Sequence, residues 1–253
     1  MRPHPSAQAE LSHSAVPFQT ANCFSEGESE RRYLTSSHRS HRAARSEGRA
    51  ARVLDIGCAT GALLASLRDE GWDCAGVEVC VPAADYGRER FGLDIRPTVL
   101  EKAGFAPGSF DLIHASHLIE HLNEPGAFLA CARNLLASGG RILITTPNIS
   151  GFQARLLGSR WRSAIHDHLF LFSRRSLARL LSESGFRIRS QVTWGGWAAG
   201  LKPAFLKPLL DPLARRTGQG DVIAFLCEAE PETAAGASAA HSAVSGKDKA
   251  PPR

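Results

Sequence analysis

The nine residues Val53–Gly61, Val-Leu-Asp-Ile-Gly-Cys-Ala-Thr-Gly, constrain the fold more than any other part of the chain. An apolar run ends there in an acid and enters a turn bounded by two glycines, and the helix-forming residues 62–67 follow. Glycine lets the backbone approach a ligand closely because it has no Cβ. The first turn of the helix also offers unpaired N–H groups. This order of strand, glycine turn and helix predicts an α/β fold that binds a nucleotide-like ligand.

The acids near this turn narrow the ligand further. Glu78 ends the next apolar run, about 20 residues further on, where this architecture hydrogen-bonds ribose hydroxyls. Gly57 and Gly61 are four residues apart and follow Asp55, so the turn lacks the G-x-G-x-x-G spacing of dinucleotide sites. A carboxylate would repel phosphates, and the turn therefore favours a ligand with a ribose and a positive charge. The alternative is an ordinary tight turn in an unrelated α/β protein.

The segment resembles motif I of the class I S-adenosylmethionine-dependent methyltransferases. Residues 109–122 look like the fourth strand of that family and its Glu-His-Leu segment. Residues 135–148 look like the Gly-Gly turn and fifth strand, with Ser138 where proline is usual. Residues 168–186 are similar to a segment of the ubiquinone-biosynthesis O-methyltransferase subgroup. The resemblance covers roughly residues 50–228 and implies S-adenosylmethionine as the cofactor.

The resemblance also implies which residues bind the cofactor. Residues 99–101 border the adenine, and Ser116 and His117 lie near the methionine end. Ala59 stands where the family often has glycine, and alanine fits there if its φ stays below zero. The implied cofactor-binding residues are Asp55, Gly57, Cys58, Ala59, Gly61, Glu78, Val79, Leu100, Glu101, Ser116 and His117.

Strand and helix patterns alternate along the chain, which indicates a parallel sheet with right-handed crossovers. With the resemblance, the fold class is α/β: one domain with a Rossmann-like, seven-stranded, mostly parallel sheet sandwiched by helices. We expect Gly139-Gly140 to end helix 125–137 and Gly185 to end helix 173–184. Residues 28–228 form the methyltransferase domain, while tails 1–27 and 229–253 have the composition of disordered segments. A short helix within 28–47 is a further prediction.

Histidine is the first candidate for a catalytic base, because oxygen and nitrogen acceptors usually lose a proton near neutral pH during methyl transfer. His121 follows the fourth strand, and His166 follows the fifth, so both are predicted at the ligand-binding edge. A backbone-capping role for His121 remains an alternative. His166, Asp167 and His168 are chemically suited to a metal, but no third ligand is evident nearby and no metal is predicted.

The composition gives limited information on the methyl acceptor. The net charge is +5, and arginines concentrate in residues 31–52 and 155–189. Solvated helix faces explain this excess more simply than a nucleic-acid partner, because no nucleic-acid motif accompanies it. The segment after the fourth strand, His114-Ala-Ser-His117, lacks the Pro-Pro-aromatic turn of nucleobase amino-methyltransferases, and the Pro-Cys turn of cytosine-C5 enzymes is absent too. We therefore predict a small-molecule acceptor, methylated on a hydroxyl of a sugar, lipid-linked intermediate or natural product. A nucleic-acid methyltransferase and a catalytically weak binding or regulatory protein remain alternatives.

Location is predicted from what the chain lacks. No apolar run approaches the ~18 residues of a membrane span, and residues 1–20 have no apolar signal segment. The six cysteines form no C-x-x-C pair, which fits a reducing cytoplasm. Residues 194–213 are apolar, broken by three prolines, and contain Lys202 and Lys207. They are interpreted as a lid, or alternatively as a surface for a membrane or lipid substrate. The oligomeric state is left open.

Overall fold

A computed structural model describes residues 50–196 and 207–231 of the chain. The predicted N-terminal tail, the predicted helix within 28–47, residues 197–206 of the 194–213 segment and residues 232–253 lie outside these ranges. The strands are β1 Arg52–Ile56, β2 Asp73–Val77, β3 Asp94–Arg96, β4 Phe110–Ser116, β5 Leu136–Pro147, β6 Phe186–Trp194 and β7 Val222–Ala229. The helices are α1 Ala62–Asp69, α2 Val81–Phe91, α3 Pro125–Leu135, α4 Phe152–Leu157, α5 Arg174–Glu183 and α6 Lys207–Thr217. Short 3-10 helices cover Leu100–Lys102, Ile119–His121 and Gly158–Arg160.

The seven strands form one sheet in the order β3-β2-β1-β4-β5-β7-β6. Strands β1 to β5 pair in parallel with one another, whereas β7 is antiparallel to both β5 and β6. The predicted Rossmann-like, mostly parallel sheet is therefore confirmed. The strand order reverses between β1 and β4, and ligands of open α/β sheets bind at the carboxyl edge beside such a point.

Side chains alternate between the two faces of the sheet, and helices cover both. Leu54 and Ile113 lie in the core beneath α3 and α5, together with Leu129 and Leu177 of those helices. Residues on the opposite face pack against α1 and α2. These are Val53, Leu112, Leu143, Leu64, Leu67 and Ala84. Burial of each large apolar side chain contributes about 1.5–3 kcal/mol, which holds the strand ends at fixed positions.

The glycine pair at 139–140 does not end a helix, so that expectation was wrong. Helix α3 stops at Leu135, and β5 begins at the next residue. The β4–β5 register shifts between Phe110 and Leu112, and Gly139 has φ +70°. A Cβ on Gly140 would lie 2.7 Å from the Ala137 carbonyl oxygen. Both glycines therefore permit the irregular backbone at the start of β5. Gly185, by contrast, follows the last turn of α5 with φ +78°, as expected.

Two further observations bear on the limits of the domain. Strand β7 runs to Ala229, one residue past the predicted boundary, and the Glu230 N–H donates to the Gly185 carbonyl at 3.0 Å. Among the described residues, no helix has both the length and the apolar character of a bilayer span.

Candidate functional site

The turn between β1 and α1 is built from left-handed residues. Gly57 has φ +75° and Gly61 has φ +74°, a region that glycine adopts without cost. The Gly57 and Cys58 N–H groups both donate to the Val77 carbonyl oxygen, at 2.9 and 3.2 Å. The turn thus closes over the end of β2 at the carboxyl edge of the sheet. A Cβ on Gly57 would be in ordinary contact, 3.7 Å from Leu118 Cδ1.

Ala59 also adopts a left-handed conformation, with φ +48°. The expectation of a φ below zero was therefore wrong. A non-glycine residue pays about 1–2 kcal/mol for this conformation. The Ala59 N–H donates to Glu78 Oε2 at 2.9 Å, so a charge-assisted hydrogen bond holds the strained residue in place.

Glu78 lies just beyond β2 and joins the two loops of the site. Besides Ala59, its carboxylate accepts the Cys80 N–H at 2.8 Å. A carboxylate offers about four lone-pair directions, so two backbone donors leave room for two hydroxyls. Its half-buried side chain thus keeps acceptor capacity toward the turn.

Gly61 and Cys58 face the protein interior. A Cβ on Gly61 would lie 2.8 Å from side-chain atoms of both Leu93 and Ile95, so the glycine lets the turn pack against β3. The Cys58 side chain is buried. Burial raises the pKa of its thiol, and the charges of Asp55 and Glu78 raise it further. Cys58 is therefore a neutral packing residue at physiological pH.

Asp55 is buried and has a partner that the sequence did not reveal. Its Oδ1 lies 2.7 Å from Nδ1 of His114, which is also buried. The two residues are direct register partners on β1 and β4, the central pair of the sheet. Of the other residues predicted to bind the cofactor, Val79 is 66% exposed, Glu101 is exposed and Leu100 packs in the core.

The ends of β4 and β5 place several polar groups side by side. The Ser116 and Thr145 hydroxyls are 2.7 Å apart, and the His117 N–H donates to the Thr145 carbonyl. His117 has φ +49° and places Nδ1 3.3 Å from Glu120 Oε1. The Thr146 hydroxyl donates to Glu120 Oε2 at 2.9 Å. Glu120 itself is only 1% exposed.

Glu120 is held as a carboxylate. Burial alone would raise the pKa of its carboxyl group. The hydrogen bond and charge of His117, a backbone hydrogen bond and the Thr146 hydroxyl outweigh burial, so the net effect is a lowered pKa. A negative charge therefore lies beneath the carboxyl edge of the sheet at neutral pH.

The imidazole ring of His121 contacts that of His168 and not that of His166. The two imidazoles are edge to face with ring centroids 4.7 Å apart. Nδ1 of His121 lies 2.8 Å from the Asp167 carbonyl, and Nδ1 of His168 lies 2.7 Å from the Ser163 carbonyl. The His166 side chain is exposed.

Buried contacts anchor the loop that carries these residues. The Trp161 indole N–H donates to Asp221 at 2.6 Å, and Arg162 pairs with the other oxygen of that carboxylate at 2.9 Å. The Phe170 N–H donates to the Glu120 carbonyl at 3.1 Å. The position of His168 is thus set by contacts on both sides of it.

Comparison with known proteins identifies the family of this chain. Residues 28–191 match a family described as a methyltransferase domain. The chain belongs to this methyltransferase family.

The methyltransferase is similar to enzymes named ubiquinone biosynthesis O-methyltransferase. It is 32% identical to the protein of Cereibacter sphaeroides over 117 residues, which is 44% of this chain and 47% of that protein. It is 30% identical to the protein of Dinoroseobacter shibae over 146 residues, or 53% and 59% of the two chains. The methyltransferase thus spans about half the length of the curated relatives it matches.

Solved structures share its fold at lower identity. A methyltransferase from Thermotoga maritima superposes with a TM-score of 0.57 at 21% identity, covering 81% of this chain and 96% of that one. Geranyl diphosphate C-methyltransferase from Streptomyces coelicolor, solved with Mg²⁺, geranyl diphosphate and S-adenosylhomocysteine, gives 0.53 at 18% identity over 72% of each chain. At these identities the likeness concerns the fold alone.

The residues of the methyltransferase fit the cofactor. The turn offers an approach without side chains at Gly57, and Glu78 keeps free acceptor capacity beside it. A ribose with two hydroxyls suits such a carboxylate.

The sequence did not single out Glu120, Thr145 or His114 as site residues, and it considered His168 only together with His166 and Asp167. Thr145 and Thr146 could have been predicted as site residues, because they are polar residues near the carboxyl end of the apolar strand β5. The contact of His168 with His121 could not have been predicted, because it spans 47 residues of chain and depends on the loop anchored at Asp221.

Proposed function

We propose that this methyltransferase methylates a hydroxyl oxygen of a small molecule: a sugar, a lipid-linked intermediate or a natural product. S-adenosylmethionine supplies an electrophilic methyl group on its sulfonium. The protein then has to place an acceptor oxygen in line with that group and take up the proton of the hydroxyl. The curated relatives are named as O-methyltransferases, which supports an oxygen acceptor.

The observation that carries the proposal is the pair of imidazoles beyond β4 and β5. The Nδ1–H of His121 donates to the Asp167 carbonyl, which leaves the lone pair of a neutral ring on Nε2. In this proposal His121 is the general base. His166 remains a second candidate from the sequence. Both side chains are exposed, and His121 is favoured because the Asp167 carbonyl and the His168 ring orient its imidazole.

Exposed apolar side chains near the histidines support a partly apolar acceptor. Ile165, Leu169 and Phe170 flank His168 and are all exposed. A lipid-linked or prenylated molecule would cover them on binding. Contact of residues 194–213 with a membrane, which their apolar sequence and lysines suggested, stays a prediction.

The arginines give less support to a nucleic-acid acceptor. Arg162 is engaged by Asp221, and Arg187 and Arg189 both bind Glu228. Arginines that neutralise protein carboxylates are not free to neutralise phosphates. A methylation rate on a small acceptor that does not change with salt concentration would favour the small-molecule acceptor over a nucleic-acid acceptor.

The first experiment measures cofactor binding by calorimetry. Wild-type protein should bind S-adenosylmethionine or S-adenosylhomocysteine with micromolar affinity, about −8 kcal/mol. Glu78→Ala should weaken binding by roughly 1–3 kcal/mol, because it removes a charged acceptor. Since Glu78 also holds Ala59 and Cys80, Glu78→Gln tests the charge with less disturbance of the loop.

The matched control is Glu89→Ala, because Glu89 is an exposed acid on α2. It should bind like wild type. Absence of binding by wild-type protein would overturn the cofactor assignment. Equal losses in Glu78→Ala and Glu89→Ala would show that Glu78 is not the ribose acceptor.

The second experiment tests the base. His121→Ala should lower turnover of the true acceptor by about 10²–10⁴-fold, the usual contribution of a general base. Cofactor affinity should stay within severalfold, since the loss belongs to the chemical step. His166→Ala, measured in parallel, decides between the two histidines. A near-wild-type rate in both variants at neutral pH contradicts the assignment of either.

A further inference from the structure

We infer that Glu120, His121 and His168 form a binding site for a divalent transition-metal ion, with Zn²⁺ as the best match. One carboxylate oxygen and one ring nitrogen from each histidine lie within 4.8 Å of one another. Glu120 and His121 come from the 3-10 helix after β4, and His168 comes from the loop after α4. Of the histidine pair that the sequence suggested, His166 and His168, the cluster contains only His168, and the fold adds Glu120 and His121.

Both imidazoles are oriented as metal ligands usually are. A ligating histidine donates its other ring N–H to a carbonyl, carboxylate or water, which fixes the tautomer. Here each Nδ1 meets a backbone carbonyl, of Asp167 for His121 and of Ser163 for His168. Nε2 of each neutral ring therefore carries a lone pair. No described group donates a hydrogen bond to either Nε2.

The carboxylate has a buried oxygen with a distant partner. Glu120 Oε2 accepts the Thr146 hydroxyl at 2.9 Å, whereas Oε1 faces His117 Nδ1 at the longer distance of 3.3 Å. That imidazole interacts with the carboxylate but leaves Oε1 room for a closer partner. A buried carboxylate oxygen without a close partner is costly. A cation beside it would reduce that cost.

The donor set indicates the type of cation. Two imidazoles with one carboxylate suit Zn²⁺ and its neighbours, whereas Mg²⁺ and Ca²⁺ take mostly oxygen ligands. Ligands at about 2.1 Å in a tetrahedron lie about 3.4 Å apart. The three atoms would therefore have to approach by roughly 1 Å, which side-chain rotation of the two histidines can supply.

Three protein ligands leave a coordination position open, as in zinc sites that act on substrates. A hydroxyl oxygen bound there would lose its proton more readily. With the ion in place, Nε2 of His121 would coordinate it and not accept the proton. The ion would then activate the hydroxyl in place of His121, and the proton would leave to solvent. This consequence rests on the proposed oxygen acceptor, but the metal site itself does not.

The test uses the full chain, freed of metal by chelation. Calorimetry with Zn²⁺ and the visible absorption of bound Co²⁺ report the site without any acceptor. Wild-type protein should bind about one equivalent with micromolar or tighter affinity and give a Co²⁺ spectrum of low coordination number. Glu120→Gln and His168→Ala should each weaken binding by about 100-fold, since even the loss of an outer partner costs about 10–100-fold.

The matched control is His166→Ala, which removes an exposed histidine two residues from His168. It should bind metal like wild type, and the thermal shift caused by Zn²⁺ should persist. Equal weakening in His166→Ala and His168→Ala, or no binding by wild type below millimolar Zn²⁺, would overturn the inference. Calorimetry with S-adenosylmethionine on the same samples tests the cofactor assignment separately from the metal site. A protein that binds S-adenosylmethionine but no metal refutes only the site described here.

Discussion

Ala59 keeps a strained backbone conformation that lowers the stability of the fold but fixes the shape of the β1–α1 turn. It is one of two non-glycine residues with positive φ among the described residues, and His117 is the other. Both lie at the carboxyl edge, where the β1–α1 turn and the end of β4 face the site. Strained backbone persists only where surrounding contacts enforce it. At Ala59 the enforcing contact is Glu78, the same side chain that is proposed to bind the ribose.

Replacement of Ala59 by glycine should therefore stabilise the protein. Glycine relieves about 1 kcal/mol of left-handed strain, less the entropy it adds to the unfolded chain. The melting temperature of Ala59→Gly should rise by a few degrees. Ala130→Gly in the exposed middle of α3 is the control, and it should lose about 0.5–1 kcal/mol. If both substitutions lower the melting temperature alike, Ala59 is not strained.

At the level of elements, the Glu228 carboxylate near the end of β7 lies among three arginine side chains. Its oxygens bind Arg187 at 3.0 Å and Arg189 at 2.7 Å, and Arg141 lies 3.9 Å away. These contacts join β5, β6 and β7 across the antiparallel part of the sheet. Burial alone would raise the pKa of the Glu228 carboxyl, but the hydrogen bonds and charges of Arg189 and Arg187 lower it on balance.

A lowered folded-state pKa gives a defined pH dependence. The contribution of Glu228 is present above the unfolded pKa of about 4.3 and is lost as the pH falls through the folded value. Glu228→Gln should cost about 1 kcal/mol at pH 7, because two partly exposed pairs are lost. The difference from wild type should shrink below about pH 4. Urea unfolding at several pH values measures it, and a difference independent of pH would contradict the assignment.

Glu183→Gln provides the comparison. Glu183 binds only Arg179, and both side chains are well exposed. Because solvent screens such a pair, the substitution should change the unfolding free energy little at any pH.

The same elements show what the sequence can and cannot predict. Apolar runs and the glycine turn predicted the strand, turn and helix of residues 53–67 and the alternation of strands and helices, because burial and turn geometry are local properties. The start of β5 was missed because its glycines resemble a helix end, and only the register with β4 distinguishes the two. The turn of the cofactor site could be predicted, whereas the pairing of His121 with His168 depends on a loop anchored far away in sequence.

At the scale of the whole molecule, the predicted tails should be dispensable. A chain trimmed to residues 28–231 should keep the melting temperature and cofactor affinity of the full chain, because the tail composition cannot form a core. The C-terminal limit matters. Glu230 bridges to Gly185 through its N–H, and its carbonyl accepts from Arg133 at 2.8 Å.

Trimming to residue 228 instead should therefore be destabilising, since it removes two hydrogen bonds worth about 1 kcal/mol each. Thermal unfolding of both trimmed chains beside the full chain separates these cases. A large fall in melting temperature for residues 28–231 would mean that a tail packs on the domain.

The insertion of β7 between β5 and β6 has a consequence for the order in which the protein is made. Strand β6 pairs with β7 alone, and β7 follows every other strand that the structure describes. Until a ribosome has synthesised residues 222–229, β5 presents an open edge, although all the parallel strands have already been made. Exposed edges of this kind recruit other strands. The nascent protein is thus exposed to aggregation until β7 becomes available, and the entry of β7 between β5 and β6 closes the sheet.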